Sequence, residues 1–378
     1  MTDVLIVGAG VIGRACGYRL AQHGHSVRLV DSGQPAAGWV GAGMLAPVSE
    51  ASFGEAELAR LNLAAMTAFT TLAAELEQRT GRSVGLRAEG TLVVAFNADD
   101  RAVLDRLSDY RDSIGLPTER LTGSAVRRLE PYLASEVRAG VLSAGDLSVD
   151  NRRYLDALAA GCRQAGVAGV TGEVTGLLRA GGAVTGVRLA DGTELAAELV
   201  LLCAGAATER LAGLGVRPVK GQILRLTVPQ RLGTVLRHTV RGLIRGSEVY
   251  LVPRAGGEIV VGATVEDQGF DISVTAGAVY ELLRTAYEVL PISSECLLAE
   301  ASAGSRPGSP DNGPLLGWLE PGLLAATGHY RNGILLSALT AEAVTALAAG
   351  ADPAPEWRPF DARRFSRPGR RADTASSV

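Results

Sequence analysis

The chain has 378 residues, of which 47% are hydrophobic and 20% charged, and its formal net charge is −3. This composition excludes a disordered or collagen-like protein, and the length allows two domains with sizeable cores. The 37 basic residues form no tract, so nothing favours a nucleic-acid or membrane partner. Glycine is the outlier at 47 residues, about 12% against a usual share near 7%, which favours a ligand held against the main chain.

A βαβ unit is predicted at the start of the chain. An apolar run at 4–7 predicts a buried strand, the glycine turn GAGVIG follows, and a helical pattern extends to His23. A second buried strand at 27–30 ends at the acidic residue Asp31. In this order of elements a dinucleotide binds at the end of the first strand.

Each residue of the glycine turn has a physical role in such a site. Gly8 allows the tight turn, Gly10 lets main-chain N–H groups approach a pyrophosphate, and Gly13 permits close packing of helix on strand. Asp31 can accept the ribose hydroxyls, and its charge argues against a 2′-phosphate. The alternative is a tight turn of any α/β protein, and the pattern does not distinguish FAD from NAD.

The middle of the chain mixes both kinds of element. Helices are predicted over 55–80, 99–114 and 154–165, strands over 90–96, 169–178 and 183–189, and a strand and turn over 140–149. The apolar run at 199–203 does not alternate, which is typical of a strand buried on both faces. We therefore expect it to rejoin the N-terminal sheet.

Alternation with period two between residues 219 and 264 predicts an antiparallel sheet that faces the substrate. Tyr250 lies on one of these strands, where its hydroxyl can reach a cavity. Residues 323–326, a turn and a helix over 336–348 predict another strand-turn-helix unit.

Two glycine-rich stretches near the C-terminus each contain an arginine within a predicted loop. Residues 302–317 contain Arg306, and residues 327–333 contain Arg331. A guanidinium held still in this way can bind a carboxylate through two parallel hydrogen bonds. The alternative is a solvent-exposed loop arginine, and the surrounding glycines and prolines favour a ligand contact most strongly for Arg306.

The cysteines indicate neither a metal site nor a disulfide framework, because the four of them lie far apart with no C-x-x-C pair. The opening MTDVLIVGAG has no basic region of the kind that begins a signal peptide. No apolar stretch reaches the roughly 18 residues that span a bilayer. We expect a cytoplasmic protein without a bound metal.

Seven sequence blocks together resemble the FAD-dependent glycine oxidases of thiamine biosynthesis, within the D-amino-acid oxidase superfamily. The resemblance runs from Met1 to about Arg364, and its last three blocks are the most specific. The blocks are GAGVIG, GAGMLAP, PVKGQ, VYLVPR, VVGATVEDQGFD, SRPGSPDNGPLLG and GHYRNGILLS.

The resemblance implies an α/β fold in which a Rossmann-like FAD-binding domain joins an antiparallel-sheet substrate domain, the D-amino-acid oxidase-like fold. It implies a discontinuous FAD-binding domain at 1–85, 150–217 and 301–364. The substrate-binding domain is expected at 86–149 and 218–300, and residues 365–378 are expected to form a disordered tail.

Site residues follow from the resemblance and the glycine turn together. Substrate contacts are expected at Arg306, Arg331 and Tyr250. Non-covalent FAD contacts are expected at Gly8, Gly10, Val11, Ile12, Gly13, Asp31, Ser32, Ala42, Gly43, Met44, Val174, Gly205, His329, Tyr330, Asn332, Gly333, Ile334 and Leu335.

The sequence departs from the family pattern at two places. The residues at 38–41 read Gly-Trp-Val-Gly where the family often has Ser or Thr with alanines, so one polar flavin contact is expected to be absent. Asn151 stands where proline is expected, a difference expected to affect only a turn.

The activity implied is oxidation of glycine, sarcosine and small D-amino acids to the imine, which hydrolyses to the 2-oxo acid and ammonia while O₂ becomes H₂O₂. A thiazole synthase partner and a homo-oligomer, a homotetramer in family members, are also implied. Two alternatives stay open: a D-amino-acid or proline dehydrogenase that reduces a quinone, and a flavin-binding scaffold without turnover.

Overall fold

The computed structural model describes residues 2–244 and 246–365. Its α-helices are α1 (Val11–Gln22), α2 (Ala37–Val40), α3 (Ala56–Thr80), α4 (Ala98–Ser113), α5 (Gly123–Leu129), α6 (Asn151–Gln164), α7 (Thr208–Ala212), α8 (Ala276–Val289) and α9 (Gly333–Ala348). Its strands are β1 (Asp3–Val7), β2 (Ser26–Asp31), β3 (Met44–Leu45), β4 (Thr91–Ala95), β5 (Glu119–Thr122), β6 (Ala139–Ser143), β7 (Leu147–Ser148), β8 (Ala168–Thr171), β9 (Val174–Ala180), β10 (Ala183–Leu189), β11 (Glu194–Ala196), β12 (Leu199–Leu202), β13 (Arg217–Thr227), β14 (Thr239–Ile244), β15 (Ser247–Pro253), β16 (Glu258–Gly262), β17 (Leu297–Gly308), β18 (Leu315–Glu320) and β19 (Leu323–Thr327).

The first sheet has six strands in the order β18-β19-β12-β1-β2-β8. All neighbours are parallel except the antiparallel edge strand β18. Strand β12 pairs directly with β1, which confirms that the apolar run after residue 198 rejoins the N-terminal sheet. Because β1 lies between β12 and β2, its carboxyl end opens at the centre of the sheet, where dinucleotides bind in this architecture.

This sheet is covered on both faces, which explains why its strands are continuously apolar. Val4 and Ile6 face a core that includes α1, α3, α6 and α9. Leu5 and Val7 face the other way, toward the antiparallel sheet β11-β10-β9. Within the described residues no helix combines the length and apolar character needed to cross a bilayer.

The second sheet has eight strands in the order β17-β13-β16-β15-β14-β4-β6-β5 and is antiparallel except for the parallel pair β14 and β4. The predicted alternating strands between 219 and 264 lie here as β13 to β16. Helix α8, which the sequence analysis did not predict, packs on this sheet through Leu282, Ala286 and Val289. Together the sheets form the predicted mixed α/β architecture.

The prediction that Arg306 lies in a loop is wrong. Arg306 is on β17, which pairs with β13 from Leu297 to Gly308. Glycines and prolines weaken the local strand signal, so this strand is determined by pairing with a distant partner. Gly304 also serves packing, because a Cβ there would lie 3.1 Å from the Val40 side chain.

The domain boundaries stay a prediction, with one adjustment. The expected boundary at 301 falls inside β17, so residues 301–308 lie in the antiparallel sheet. Of the expected disordered tail, residues 366–378 lie outside the described residues.

Candidate active site

One elongated cavity of about 1080 Å³ extends between the two sheets. It begins at the carboxyl ends of β1, β2 and β12 and ends on residues of β13, β15 and β17. Its volume slightly exceeds the upper end of the range of about 300–1,000 Å³ that is usual for small-molecule and cofactor sites. The cavity is therefore large enough for a dinucleotide with a small second ligand at one end.

The glycine turn forms the first end of the cavity. Gly8 has φ +102°, and a Cβ there would lie 2.5 Å from the carbonyl oxygen of Cys203. A Cβ on Gly13 would overlap the carbonyl oxygen of Gly8. Helix α1 begins directly after Gly10, which provides no side-chain cap, and its first residues line the cavity. The positive end of the helix thus faces the space where a pyrophosphate would bind.

Asp31 joins the glycine turn to the end of β2. Its Oδ2 accepts a hydrogen bond from the Ala9 main-chain N–H at 2.7 Å, and its Oδ1 accepts one from the Gly33 N–H at 2.8 Å. A carboxylate has about four acceptor positions, so both oxygens can also accept from ribose hydroxyls. Asp31 lines the cavity, as its predicted role requires.

The expectation that Asn151 affects only a turn is wrong. Asn151 is fully buried at the start of α6, where its Nδ2 donates to the carbonyls of Gly38 at 2.9 Å and Trp39 at 2.8 Å. Its Oδ1 accepts from Arg225 Nη2 at 3.2 Å. The amide therefore fastens the Gly-Trp-Val-Gly segment, so the two departures from the family pattern are in direct contact.

Arg306 lies at the far end of the cavity. Its Nη1 donates to the carbonyls of Thr264 at 3.2 Å and Lys220 at 3.4 Å. No carboxylate within the described chain lies at ion-pair distance from it. A Cβ on Gly221 would overlap the guanidinium, so a larger residue there would displace Arg306 from this position. Most of its five N–H donors remain available to an anionic ligand.

Tyr250 shares this end of the cavity. It pairs across the sheet with Gly262, where a Cβ would overlap the phenol ring. Burial raises the pKa of the Tyr250 hydroxyl, and the neighbouring Arg306 acts in the opposite direction without reversing the shift. The phenol therefore stays protonated at neutral pH and can donate a hydrogen bond beside Arg306.

The turn before α9 forms the remaining wall. His329 is buried, its Nε2 lies 3.0 Å from Thr340 Oγ1, and burial lowers its pKa to about 3. It is thus neutral at ordinary pH. Tyr330 has φ +47°, an uncommon backbone conformation for a residue other than glycine. Arg331 is exposed at the rim, with its guanidinium 5.2 Å from the centre of the Tyr330 ring.

Sequence reasoning missed several charged residues of the cavity, among them Glu50 and Arg241. Arg241 Nη1 lies 3.5 Å from a Glu50 carboxylate oxygen, and its Nη2 lies 3.1 Å from Glu248 Oε2. Arg241 pairs across the sheet with Tyr250, so the alternating pattern that singled out Tyr250 was the signal that could have found it.

Most of the predicted site residues line this one cavity. Those that do are Gly8, Gly10, Val11, Ile12, Asp31, Ser32, Ala42, Gly43, Met44, Val174, Gly205, Tyr250, Arg306, His329, Tyr330, Arg331, Gly333 and Ile334. Three others, Gly13, Asn332 and Leu335, lie outside its lining. Gly13 packs beneath the turn, Asn332 precedes α9, and Leu335 is 2% exposed in the core. The individual roles stay predictions.

Cysteines and metal-binding side chains contribute little to the site. All four cysteines are free, and only Cys203 touches the cavity. Among the described residues no group of three His, Cys, Asp or Glu side chains is placed to hold a metal ion.

A parallel sheet with a glycine turn and a carboxylate at the end of its second strand, sharing its cavity with an arginine on an antiparallel sheet, is the arrangement of a dinucleotide-dependent enzyme. The chain belongs to the FAD-dependent oxidoreductase family, whose pattern it matches over residues 3–347.

Three similar proteins show which members of the family this chain resembles. The chain is 35% identical to a glycine oxidase of Geobacillus kaustophilus, over 96% of this chain and 97% of that one. A crystal structure of glycine oxidase from that organism has a TM-score of 0.89 at 33% identity, covering 96% and 98% of the two chains. The chain is also 33% identical to a bifunctional protein ThiO/ThiG of Nostoc, with 91% of this chain matching 52% of that protein.

FAD fits the cavity. The uncapped start of α1 and Asp31 offer the donors and acceptors that a pyrophosphate and a ribose need. The small residues Gly41, Ala42 and Gly43 line the cavity further along. The family match and the glycine oxidase relatives confirm the predicted cofactor, FAD, and these residues would hold it.

Proposed function

We propose that the protein is a flavoprotein oxidase that converts glycine to glyoxylate and ammonia through the imine, with H₂O₂ formed from O₂. Sarcosine and small D-amino acids are proposed as further substrates. The observation that carries this proposal is Arg306, a guanidinium without a carboxylate partner in the described chain, at the end of the cavity opposite the glycine turn. The glycine oxidase relatives support it.

The protein's own contribution is mainly positioning. Arg306 would bind the substrate carboxylate through two hydrogen bonds, and the protonated Tyr250 would donate a third. Glycines 221 and 262 keep both side chains close to the sheet, which leaves room above them for a small amino acid. FAD, when bound, would accept one hydride, which carries two electrons, from the substrate α-carbon and would pass those two electrons to O₂. Holding the α-carbon beside it removes much of the entropic barrier.

The activity test measures O₂ uptake, H₂O₂, glyoxylate and ammonia with purified holoenzyme. With glycine, the O₂ consumed is expected to equal the H₂O₂, the glyoxylate and the ammonia formed. Glycolate, which has a hydroxyl in place of the amine, serves as the control compound. Reduction of a quinone without O₂ uptake would favour the dehydrogenase. A cofactor that glycine fails to bleach anaerobically would favour the scaffold. Cyanide in place of glyoxylate would favour the activity named in the relative HcnC of Pseudomonas aeruginosa, which is 30% identical.

The pH dependence of kcat/KM provides a second test. Because the substrate amine must be unprotonated to react, kcat/KM is expected to rise toward alkaline pH and then level off. The buried Tyr250 has a raised pKa, so its ionisation should not produce a fall within the neutral range. Tyr250→Phe should lower kcat/KM yet keep the same rise. A flat profile for the wild type would contradict the mechanism.

Three further assignments belong to this proposal. A thiazole-forming partner in thiamine biosynthesis is supported by relatives that combine ThiO and ThiG in one bifunctional protein. A homo-oligomer is proposed from the family resemblance, as is the two-domain division with its adjusted boundary. A cytoplasmic location is proposed because the four cysteines form no disulfide with one another.

A further inference from the structure

A buried arginine outside the cavity supports one of its walls. Arg254 follows the last residue of β15, four positions after Tyr250, and is 5% exposed. Its Nη2 donates to the carbonyl of Ala42, and a Cβ on Gly43 would lie 3.0 Å from the same nitrogen. Ala42 and Gly43 line the cavity, whereas Arg254 lies behind them.

The charge of Arg254 is incompletely compensated. Within the described chain its Nε and Nη1 have no hydrogen-bond partner, and no carboxylate forms an ion pair with it. Asp150 and Glu258 attract it from a greater distance, but Arg225 and Arg87 oppose them. Arg225 is buried to a similar degree and has the partner that Arg254 lacks, with Nη1 at 2.5 Å from Glu258.

Arg254 nevertheless stays charged. Burial lowers its pKa to about 10, which is still above neutral pH. A cation that is both buried and unpaired is costly, so it is uncommon without a compensating role. Its field is weakly screened by solvent and reaches through the thin wall formed by Ala42 and Gly43.

That wall lies at the substrate end of the cavity. Ala42 packs in one apolar cluster with Ile223, Val252 and Val260, and Tyr250 packs against the same cluster. The redox-active ring of FAD must lie beside the substrate for electrons to pass between them. Bound FAD would therefore have its ring near the wall that Arg254 supports.

We propose that Arg254 is a positioning residue that also supplies positive potential to the isoalloxazine ring through the wall of Ala42 and Gly43, and so raises the reduction potential of bound FAD. Reduction adds negative charge to the ring, and a nearby cation stabilises that charge. The proposal rests on FAD binding and does not depend on which amino acid is oxidised.

The test measures the affinity of the holoenzyme for sulfite, together with the FAD midpoint potential from dye equilibration. Sulfite adds to the oxidised ring and leaves it negatively charged, so its affinity reports the local potential. Arg254→Met, which removes the charge, is expected to weaken sulfite binding about tenfold and lower the midpoint potential. Arg254→Lys should stay close to the wild type.

A matched control distinguishes the effect of removing the charge of Arg254 from the general effect of removing a buried arginine. Arg111 is 3% exposed and donates to the carbonyls of Ser49 and Ala51, away from the wall at 42–43. Arg111→Met should lower stability comparably while sulfite affinity changes less than with Arg254→Met. Arg254→Gln keeps an N–H donor for Ala42 without the charge, and it should behave like Arg254→Met.

Each outcome decides the proposal. If Arg254→Met retains FAD with unchanged sulfite affinity and midpoint potential, Arg254 is structural only and the proposal fails. If that variant does not fold, the comparison of Arg254→Gln with Arg254→Lys carries the test, and equal sulfite affinities would overturn it. Because no amino-acid substrate is used, this result is independent of whether glycine is oxidised.

Discussion

Arg306→Ala is expected to lower kcat/KM for glycine, with a loss of transition-state stabilisation of about 2–4 kcal/mol, while the purified protein retains FAD and its yellow colour. Arg306 faces the end of the cavity away from the glycine turn, so its loss should spare FAD binding. The guanidinium donates to the main-chain carbonyls of Thr264 and Lys220 and has no carboxylate partner among the described residues, so its charge is available to the substrate carboxylate. Steady-state kinetics and the FAD content of the same preparation measure the two effects.

Two comparison variants sharpen this result. Arg306→Lys keeps the charge but cannot form two parallel hydrogen bonds, so an intermediate loss is expected. Arg188→Ala removes an exposed arginine that pairs with Glu194 on the β9–β11 sheet, and kcat/KM should be unchanged. If Arg306→Ala retained wild-type kcat/KM, Arg306 would not be a substrate contact and the proposed orientation would be wrong.

Gly13→Ala is expected to weaken FAD binding about 100-fold or more, or to prevent folding of the holoenzyme. The added Cβ would overlap the carbonyl oxygen of Gly8, and neither main-chain segment can move without displacing the turn. Helix α1 would be pushed away from β1, and its first N–H groups would leave the cavity. Titration of the apoprotein with FAD, followed by fluorescence, measures the loss.

Gly17→Ala is the matched control on the same helix. A Cβ there would meet only side-chain atoms, the nearest of them Ile6 Cδ1 at 3.4 Å, which is ordinary contact. Alanine also favours the helix by up to about 1 kcal/mol. FAD affinity should therefore be unchanged and thermal stability equal or higher. Normal FAD binding by Gly13→Ala would show that close packing of α1 on the turn is dispensable.

Local patterns were sufficient for the elements whose signal lies within a few residues. The glycine turn and Asp31 predicted the βαβ unit and its ligand end because their roles depend on backbone geometry over a short stretch. Helix α3 was predicted within one residue, since 25 residues without glycine or proline leave little ambiguity. FAD as the cofactor required the longer sequence resemblance, because the glycine turn alone also suits NAD.

Local sequence patterns gave wrong predictions where contacts with residues distant in sequence determine the conformation. The stretch around Arg306 looked like a loop, yet pairing with β13 makes it a strand and directs the guanidinium over Gly221. Asn151 looked like a substitution in a turn, yet it fastens main-chain carbonyls more than 110 positions away in sequence.

The sequence by itself therefore determined a flavin-type dinucleotide fold and the kinds of side chain available to a small amino acid. Only the tertiary structure decided which charges remain unpaired. Arg225, Arg254 and Arg306 are the same residue type, but one meets Glu258, one meets a carbonyl behind the cavity wall, and one faces the cavity. Their difference arises from long-range contacts, because a charge acts according to its distance from other charges and from solvent rather than its position along the chain.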